Sequence, residues 1–321
     1  MSDEPSRVLE RLRPKLLAVA YRMLGTVADA EDAVQDAYLR YHQHAGEIDN
    51  PEAWLVKATT RLCIDRLRRA KREEYVGPWL PEPVPATWPG AAADRMELAE
   101  SLSVAFLVVL ETLSPAERAA YLLREVFGYE YDEIADLLGK TPENARQIAA
   151  RAKKRLDTRE RRFAPRPGEA DELAGRFFAA CRSGDVKAIE AMLAEDAVLY
   201  SDGGGKAFAA RRPVAGARKV ANLLAVVFRK LQGIGDVTPT TVNGRPGIVL
   251  TVGGSVVEVA TVAPDAGGGA VGTVYIVLNP DKLRRWPAPG PAAGDGTLRP
   301  EPVEVPDGSS DQLHETAPGT G

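Results

Sequence analysis

The sequence has few of the side chains on which metal centres and most acid–base active sites depend. It contains two cysteines, Cys63 and Cys181, which lie far apart and lack the spacing of metal ligands. None of its three histidines lies within residues 169–286. It also lacks any apolar run long enough to cross a membrane, and its N-terminus lacks the apolar segment of a signal peptide. We therefore predict a cytoplasmic protein with reduced cysteines, no metal ion and no membrane contact.

The sequence also lacks a phosphate-binding loop, although one glycine-rich loop, YSDGGGK at 200–206, suggests one at first. Such a loop needs a glycine five residues before its Gly-Lys pair, and Ser or Thr directly after the lysine. Tyr200 and Ala207 stand at these two positions. We therefore predict no nucleotide cofactor. The segments on either side, AVLY and AFAA, each have the character of a short strand.

Charge is unevenly distributed, although a net charge of −4 would not by itself indicate a nucleic-acid-binding protein. Residues 29–52 carry seven acidic side chains and one basic one, whereas residues 57–72 carry seven basic and one acidic. Residues 140–162 carry nine basic and three acidic side chains. Two separate basic clusters of this size are difficult to explain as ordinary surface solvation.

Apolar residues recur at helical spacing through the first half of the chain. This periodicity predicts helices over residues 7–25, 29–45, 51–72, 94–112, 115–127, 130–138 and 141–159. Asp29 is the predicted N-cap of the second helix. Five prolines within residues 77–90 predict an extended linker between the third and fourth helices.

After residue 168 the pattern changes to helices mixed with short β-rich segments. Residues 169–193 predict two helices, residues 216–231 one long helix, and Asn243-Gly244 the turn of a β-hairpin. We expect an α+β module with a curved antiparallel sheet. From Pro287 onward, seven prolines and six glycines predict a disordered tail. The chain thus divides into five predicted parts: 1–75, 76–93, 94–162, 169–286 and 287–321.

Residues 131–156 have the pattern of a helix-turn-helix. Ala135 supplies the small residue where two helices cross, and Gly139 supplies the turn. Thr141 is the predicted N-cap of the second helix, with Pro142 in its first turn. The polar face of that helix is expected to contact DNA through Thr141, Glu143, Asn144, Arg146, Gln147, Arg151, Lys153 and Lys154. The alternative is an amphipathic helical hairpin with a solvated charged face.

Two further surfaces are suggested in the first 72 residues. The second helix carries a stripe opposite its apolar face, formed by Asp32, Gln35, Asp36 and Leu39, which suggests a protein-binding surface. The third helix combines Trp54 with basic and polar groups that suit a melted DNA strand, namely Lys57, Thr60, Arg61, Arg66, Arg68 and Arg69. The alternative is that Trp54 is a core residue and that the arginines are solvated.

These segments resemble regions 2 and 4 of an extracytoplasmic-function sigma factor. The blocks AEDAVQD, AWL and IDRLR occur in the order and register of that family, and the resemblance extends over residues 7–160. It implies that residues 1–75 bind core RNA polymerase at the β′ clamp, through the acidic stripe, and the melted minus-10 element. It also implies that residues 94–162 bind the polymerase β flap and the minus-35 element. Many members of the family have Asn where this chain has Arg61.

Three further blocks resemble signatures of the SigJ-type subgroup, which carries a fused SnoaL-like domain. The blocks are WLPEP, DGGGK and NPDKL, that is Trp79, Leu80, Pro81, Glu82, Pro83, Asp202, Gly203, Gly204, Gly205, Lys206, Asn279, Pro280, Asp281, Lys282 and Leu283. The resemblance implies regulation by residues 169–286 instead of by a separate anti-sigma protein. We expect the three blocks to form a regulatory contact between the linker and the C-terminal module, with Lys206 paired to Asp202.

Enzymes with a cone-shaped SnoaL-like fold use Asp or His as acid–base groups. Asp202 is the conspicuous acid in residues 169–286, and a pairing with Lys206 would make it a poor base. We therefore predict no catalytic residues, while an unidentified small ligand of this module stays open. A second hypothesis is a conventional repressor, in which a sensory module carries a DNA-binding segment. A repressor would have no use for an acidic clamp stripe beside a strand-binding helix.

Overall fold

The computed structural model describes residues 4–44, 48–69, 75–91, 100–160 and 168–287. Three N-terminal helices, α1 (Glu4–Leu24), α2 (Val27–His44) and α3 (Pro51–Arg69), pack around an apolar core that continues into residues 102–156. The second helix begins two residues before the predicted cap. The hydroxyl of Thr26 accepts a hydrogen bond from the N–H of Asp29 (3.3 Å), so Asp29 lies in the first turn instead of capping it.

A second helical group follows the linker. It consists of α4 (Val104–Leu110), α5 (Pro115–Tyr121) continuing as a π-helical turn (Leu122–Val126), α6 (Tyr131–Leu138) and α7 (Pro142–Glu160). The predicted continuous helix over 94–112 is wrong, because the chain turns at residues 101–103. There the Ser103 hydroxyl caps α4 by accepting from the N–H of Phe106 (3.3 Å). Residues 92–99 lie outside the described part of the chain.

The C-terminal module contains α8 (Glu169–Ser183), α9 (Val186–Met192), β1 (Leu193–Asp202), β2 (Val214–Ala215), α10 (Ala217–Leu231), β3 (Asp236–Val242), β4 (Arg245–Val252), β5 (Ser255–Pro264), β6 (Val271–Val277) and α11 (Pro280–Leu283). The strand order is β2-β1-β6-β5-β4-β3. The predicted α+β class is confirmed, but the sheet is mixed, because β1 and β6 run parallel. The predicted strand AFAA does not form. The N–H groups of Lys206 and Ala207 instead donate to the carbonyl of Gly203 in a tight turn.

The two faces of the sheet have different partners. One face packs against α8, α9 and α10, with Phe177 and Leu224 in the shared core. The other face contributes Val249, Val259 and Tyr275 to a separate core with Leu80 of the linker. Proline content predicts an extended linker, which is what residues 78–84 form, but Leu80 and Val84 are buried. The linker is therefore a structural layer between the helices and the sheet.

The predicted tail lies, from residue 288 on, outside the described residues. Within the described ranges, no helix combines the length and apolarity needed to cross a bilayer. The same ranges contain no cluster of three or more His, Cys, Asp or Glu side chains that could hold a metal ion.

Candidate nucleic-acid and interdomain contact sites

Helices α6 and α7 form a helix-turn-helix with the predicted turn. Gly139 has a left-handed backbone (φ 64°), and the N–H of Lys140 bonds to the carbonyl of Ala135 (2.9 Å). The Thr141 hydroxyl accepts from the N–H of Asn144 (3.3 Å), which caps α7. Local sequence determines this turn, because the glycine, the N-cap residue and the first-turn proline each favour the backbone conformation that is found at their position.

One face of α7 is buried against α5 and α6, and the other is exposed. The exposed face holds the eight side chains predicted to contact DNA, namely Thr141, Glu143, Asn144, Arg146, Gln147, Arg151, Lys153 and Lys154. The Arg146 guanidinium lies over the ring of Tyr131 (5.1 Å to its centroid), which orients it at the N-terminal end of the helix. Lys153 pairs with Glu125 (2.6 Å). The arrangement can present a polar and cationic surface to a nucleic-acid groove.

The predicted strand-binding residues of α3 have a different environment. Thr60 is fully buried, so it is not accessible to DNA in this conformation. Lys57 pairs with Asp136 of α6 (2.5 Å). Arg61 donates from Nε to the carbonyl of Leu137 (2.8 Å) and from Nη2 to that of Asp136 (3.0 Å). The structure thus places Lys57 and Arg61 against the helix-turn-helix, whereas Arg68 and Arg69 are exposed.

The acidic stripe of α2 also has an intramolecular partner. Arg66 of α3 pairs with Asp36 (2.8 Å) and lies 3.9 Å from Asp32. Gln35 is exposed. Leu39 is a large apolar side chain that is 54% exposed. An exposed leucine between acidic side chains forms a surface that suits a cationic protein partner.

The linker, the glycine loop and α11 meet at a buried carboxylate. Asp202, at the end of β1, accepts hydrogen bonds from the Tyr75 hydroxyl (2.5 Å) and the N–H of Leu80 (2.9 Å). It also pairs with Lys282 Nζ (2.7 Å), and both side chains are almost completely buried. Lys282 in turn donates to the carbonyl of Leu80 (2.5 Å) and lies over the ring of Trp79 (4.4 Å). Burial lowers the pKa of Lys282, and burial raises that of Tyr75.

The predicted pairing of Asp202 with Lys206 is wrong. Lys206 pairs at the surface with Asp281, and the buried partner of Asp202 is Lys282. The tight turn at Gly203 directs Lys206 outward, while the end of β1 directs the Asp202 side chain toward the linker. Gly204 and Gly205 have positive φ, and a Cβ on Gly204 would lie 2.2 Å from the side-chain nitrogen of Asn279. The glycines therefore permit close packing of the loop on α11.

The WLPEP segment joins this junction to the N-terminal helices. The Glu82 carboxylate accepts from the N–H of Val27 (2.8 Å) at the start of α2, and the Glu82 carbonyl accepts from the Tyr21 hydroxyl (2.5 Å). Burial raises the pKa of Glu82. The ring of Trp79 occupies the space beside Gly25, where a Cβ would lie 2.4 Å from it. The linker thus contacts both the α1–α2 turn and the C-terminal sheet.

Asn243, at the β3–β4 turn, is a contact residue that sequence reasoning missed. It is fully buried with φ 51°. Its amide nitrogen donates to the Tyr21 hydroxyl (2.8 Å) and to the carbonyl of Leu102 (3.0 Å), and its amide oxygen accepts from the N–H of Val84 (3.0 Å). The Asn-Gly pair predicted the turn, but no local signal indicated that this turn inserts between α1, the linker and the segment before α4.

A second residue missed from the sequence is Glu258 of β5. Its side chain is buried, has no hydrogen-bond or ion-pair partner among the described residues, and burial raises its pKa to about 7. An open cavity of about 400 Å³ lies between the sheet and α4, with Phe106, Tyr121 and Tyr275 in its wall, but neither Glu258 nor Asp202 lines it. The buried acids and this cavity therefore do not combine into an acid–base site.

Comparisons with known proteins agree with this architecture. The chain matches the families Sigma-70 region 2 over residues 8–73 and Sigma-70, region 4 over residues 103–156. It is 38% identical to the ECF RNA polymerase sigma factor SigJ of Mycobacterium tuberculosis over 292 residues, which cover 87% of this chain and 93% of that protein. The probable ECF sigma factor SigI of the same species is 33% identical over 57% of this chain and 65% of its own length.

Similarity to a solved structure extends beyond the two helical groups. The crystal structure of M. tuberculosis SigJ superposes with a TM-score of 0.70 at 34% identity, over 88% of this chain and 99% of that one. An overlap of this extent includes the α+β module. The predicted resemblance to the SigJ-type subgroup is therefore confirmed.

Proposed function

Since the chain belongs to the extracytoplasmic-function sigma factors of RNA polymerase, we propose that its α+β module modulates promoter recognition in cis. Sigma factors bind core polymerase and promoter DNA, and they are initiation factors and not enzymes. The observation that carries the proposal is the buried contact of Asp202 and Lys282 with Leu80. It attaches the module to the linker between regions 2 and 4, so the module restricts how far these regions can separate.

The division of labour within the chain follows from the exposed faces. We assign minus-35 recognition to α7, because its cationic and amide side chains are exposed near its capped N-terminus. We assign minus-10 strand binding to α3. We assign the contact with the polymerase β flap to region 4. Because its proposed partners are core polymerase and promoter DNA, we expect the protein to act in the cytoplasm. No catalytic residue is assigned, and a small ligand of the module would act by changing the linker contact.

The acidic stripe of α2 supplies the proposed contact with the β′ clamp. Asp36→Arg should lower the affinity for core polymerase at least tenfold, because it reverses charge on the docking surface. Glu10→Arg, an equal charge reversal at an exposed position of α1, is the matched control. Affinity can be measured by fluorescence anisotropy of labelled protein. Duplex binding by α7 should be unchanged, and an equal loss of both activities would contradict the assignment.

Run-off transcription with core polymerase tests the function itself. The experiment compares the full chain with chains ending near residues 165 and 285, on promoters selected from a genomic library. Regulation in cis predicts that removal of the α+β module changes the yield or the set of promoters used. Equal transcription by all three chains would refute regulation in cis. A protein that neither binds core nor initiates transcription, in any of these lengths, would favour the repressor hypothesis.

A further inference from the structure

We propose that Lys57 and Arg61 help to hold the helix-turn-helix against α3 in the free protein, beside the apolar core that both helical groups share, so that α6 and the melted promoter strand compete for one face of α3. The proposal rests on the assignment of strand binding to α3. It adds a restraint formed between regions 2 and 4 themselves, separate from the contact of the α+β module with the linker. We refer to the bonds from Lys57 and Arg61 to Asp136 and Leu137 as the α3–α6 contact.

Arg61 stabilises the C-terminal end of α6. The last carbonyls of a helix have no N–H partner within it, and the negative end of the helix dipole lies there. Gly139 and Lys140 donate to the carbonyls of Asp136 and Ala135. Arg61 donates to the next carbonyl, that of Leu137, and also to that of Asp136. A guanidinium can bridge two successive carbonyls because its donors diverge in one plane.

Lys57 adds an ion pair one turn earlier on α3. Its ammonium group lies 2.5 Å from the Asp136 carboxylate, and this hydrogen bond lowers the pKa of Asp136. The Asp136 side chain is 72% exposed, so water and salt have access to the pair. An exposed ion pair is weak and screened by salt. The Lys57–Asp136 pair is therefore the part of the α3–α6 contact that a polyanion can displace most easily.

Competition follows from the positions of these side chains on α3. Trp54, Lys57 and Arg61 are spaced three and four residues apart, so they lie on one face of the helix. That face is the one suited to a melted strand, and in this structure its two cations bond to α6. A phosphate or base that binds Lys57 or Arg61 must replace Asp136 or a helix carbonyl. Strand binding and the α3–α6 contact thus exclude each other at these atoms.

The test measures the distance between α2 and the end of α6 in the full chain. Dyes are attached to Gln43→Cys and Lys140→Cys, both exposed positions, and energy transfer is recorded. The native Cys63 and Cys181 are buried and burial raises each thiol pKa to about 12, so maleimide reacts with the introduced cysteines. Asp136→Asn removes the ion pair, and Arg61→Asn removes both bonds to the helix carbonyls. Asp132→Asn is the control, because it removes the same charge from an exposed position of α6.

We expect Asp136→Asn to raise the ratio of separated to closed protein roughly two- to fivefold. Arg61→Asn should raise it roughly tenfold, because charge-assisted bonds to carbonyls are stronger. Asp136→Asn should also tighten binding of a labelled mixed-sequence single-stranded DNA more than Asp132→Asn does. Equal effects of Asp136→Asn and Asp132→Asn on both measurements would overturn the proposal, as would unchanged energy transfer in Arg61→Asn.

The outcome is separable from that of the proposed function. Failure of the wild-type chain to bind core polymerase would refute the sigma-factor assignments. It would not affect the energy-transfer comparison of the variants, because that comparison uses the free protein. If core binds and separates the dyes in the wild type, but neither substitution changes the closed fraction, the α3–α6 contact alone is refuted.

Discussion

Two of the contacts between the parts of this protein differ in burial. The ion pair of the α3–α6 contact is at the surface, with Asp136 72% exposed. The junction of Asp202, Lys282 and Leu80 is closed to water, with Asp202 fully buried. Removal of one partner from an exposed pair costs little, but removal of one partner from a buried pair leaves an unpaired charge in a low dielectric. The buried junction is therefore costly to break, and the exposed Lys57–Asp136 pair can exchange partners at little cost.

The largest expected effect is that of Lys282→Ala, which leaves Asp202 buried with two neutral donors and no cation. We expect it to lower the free energy of unfolding by about 3–5 kcal/mol. Urea unfolding monitored by tryptophan fluorescence measures this change. A loss below 1 kcal/mol would show that the junction tolerates solvent, and the contrast with the α3–α6 contact would then disappear.

Asn243→Gly should have the next largest effect. Glycine keeps the positive φ of the turn but removes the side-chain bonds to the Tyr21 hydroxyl, the Leu102 carbonyl and the Val84 N–H. The bond from the Asn243 backbone N–H to the Val84 carbonyl remains. Loss of a buried hydrogen-bonding group leaves its partners unsatisfied, so we expect a cost of roughly 2–3 kcal/mol. Asn243→Asp is the companion variant, because it keeps the turn and the side-chain oxygen that accepts from the Val84 N–H. Wild-type stability of Asn243→Gly would mean that the turn does not join the regions.

Lys206→Ala should have the smallest effect, below about 1 kcal/mol, because its pairing with Asp281 is at the surface. The measurement is the same urea titration as for Lys282→Ala. The sequence motif alone would favour Lys206 over Lys282 as the partner of Asp202, since Lys206 lies nearer Asp202 along the chain. If Lys206→Ala proved as destabilising as Lys282→Ala, the distinction between buried and exposed pairs would fail here.

Features that depend on local conformation were predicted well. The turn at Gly139, the cap at Thr141 and the Asn243-Gly244 hairpin all depend on backbone angles that few residues adopt, so the residue types indicate them. The helices α2 and α7 were also predicted, because apolar residues repeat with the helical period in both segments. Helix starts were less accurate, since Thr26 and Asp29 compete for the same capping role.

Features that depend on distant residues were not predicted. The helix over 94–112 breaks where Ser101 accepts a bond from Arg22 of α1 (2.8 Å), and no local pattern indicates that partner. Thr60 was predicted to bind DNA, but it is buried, because a helix position one residue from Arg61 faces a different neighbour. The parallel pairing of β1 with β6 joins strands that are far apart in sequence, and periodicity carries no information about strand order.

The sequence by itself determined the family, the helix-turn-helix and the separation into helical regions, linker and α+β module. The family follows from the resemblance of the AEDAVQD, AWL and IDRLR blocks. The other two follow from short-range periodicity and turn chemistry, which act within a few residues. Only the tertiary structure decided that Lys282 neutralises Asp202, that Asn243 enters the helical regions, and that Arg61 bonds to α6. Such partners are selected by burial and by unsatisfied groups brought together from distant positions, and both exist only after the chain has packed.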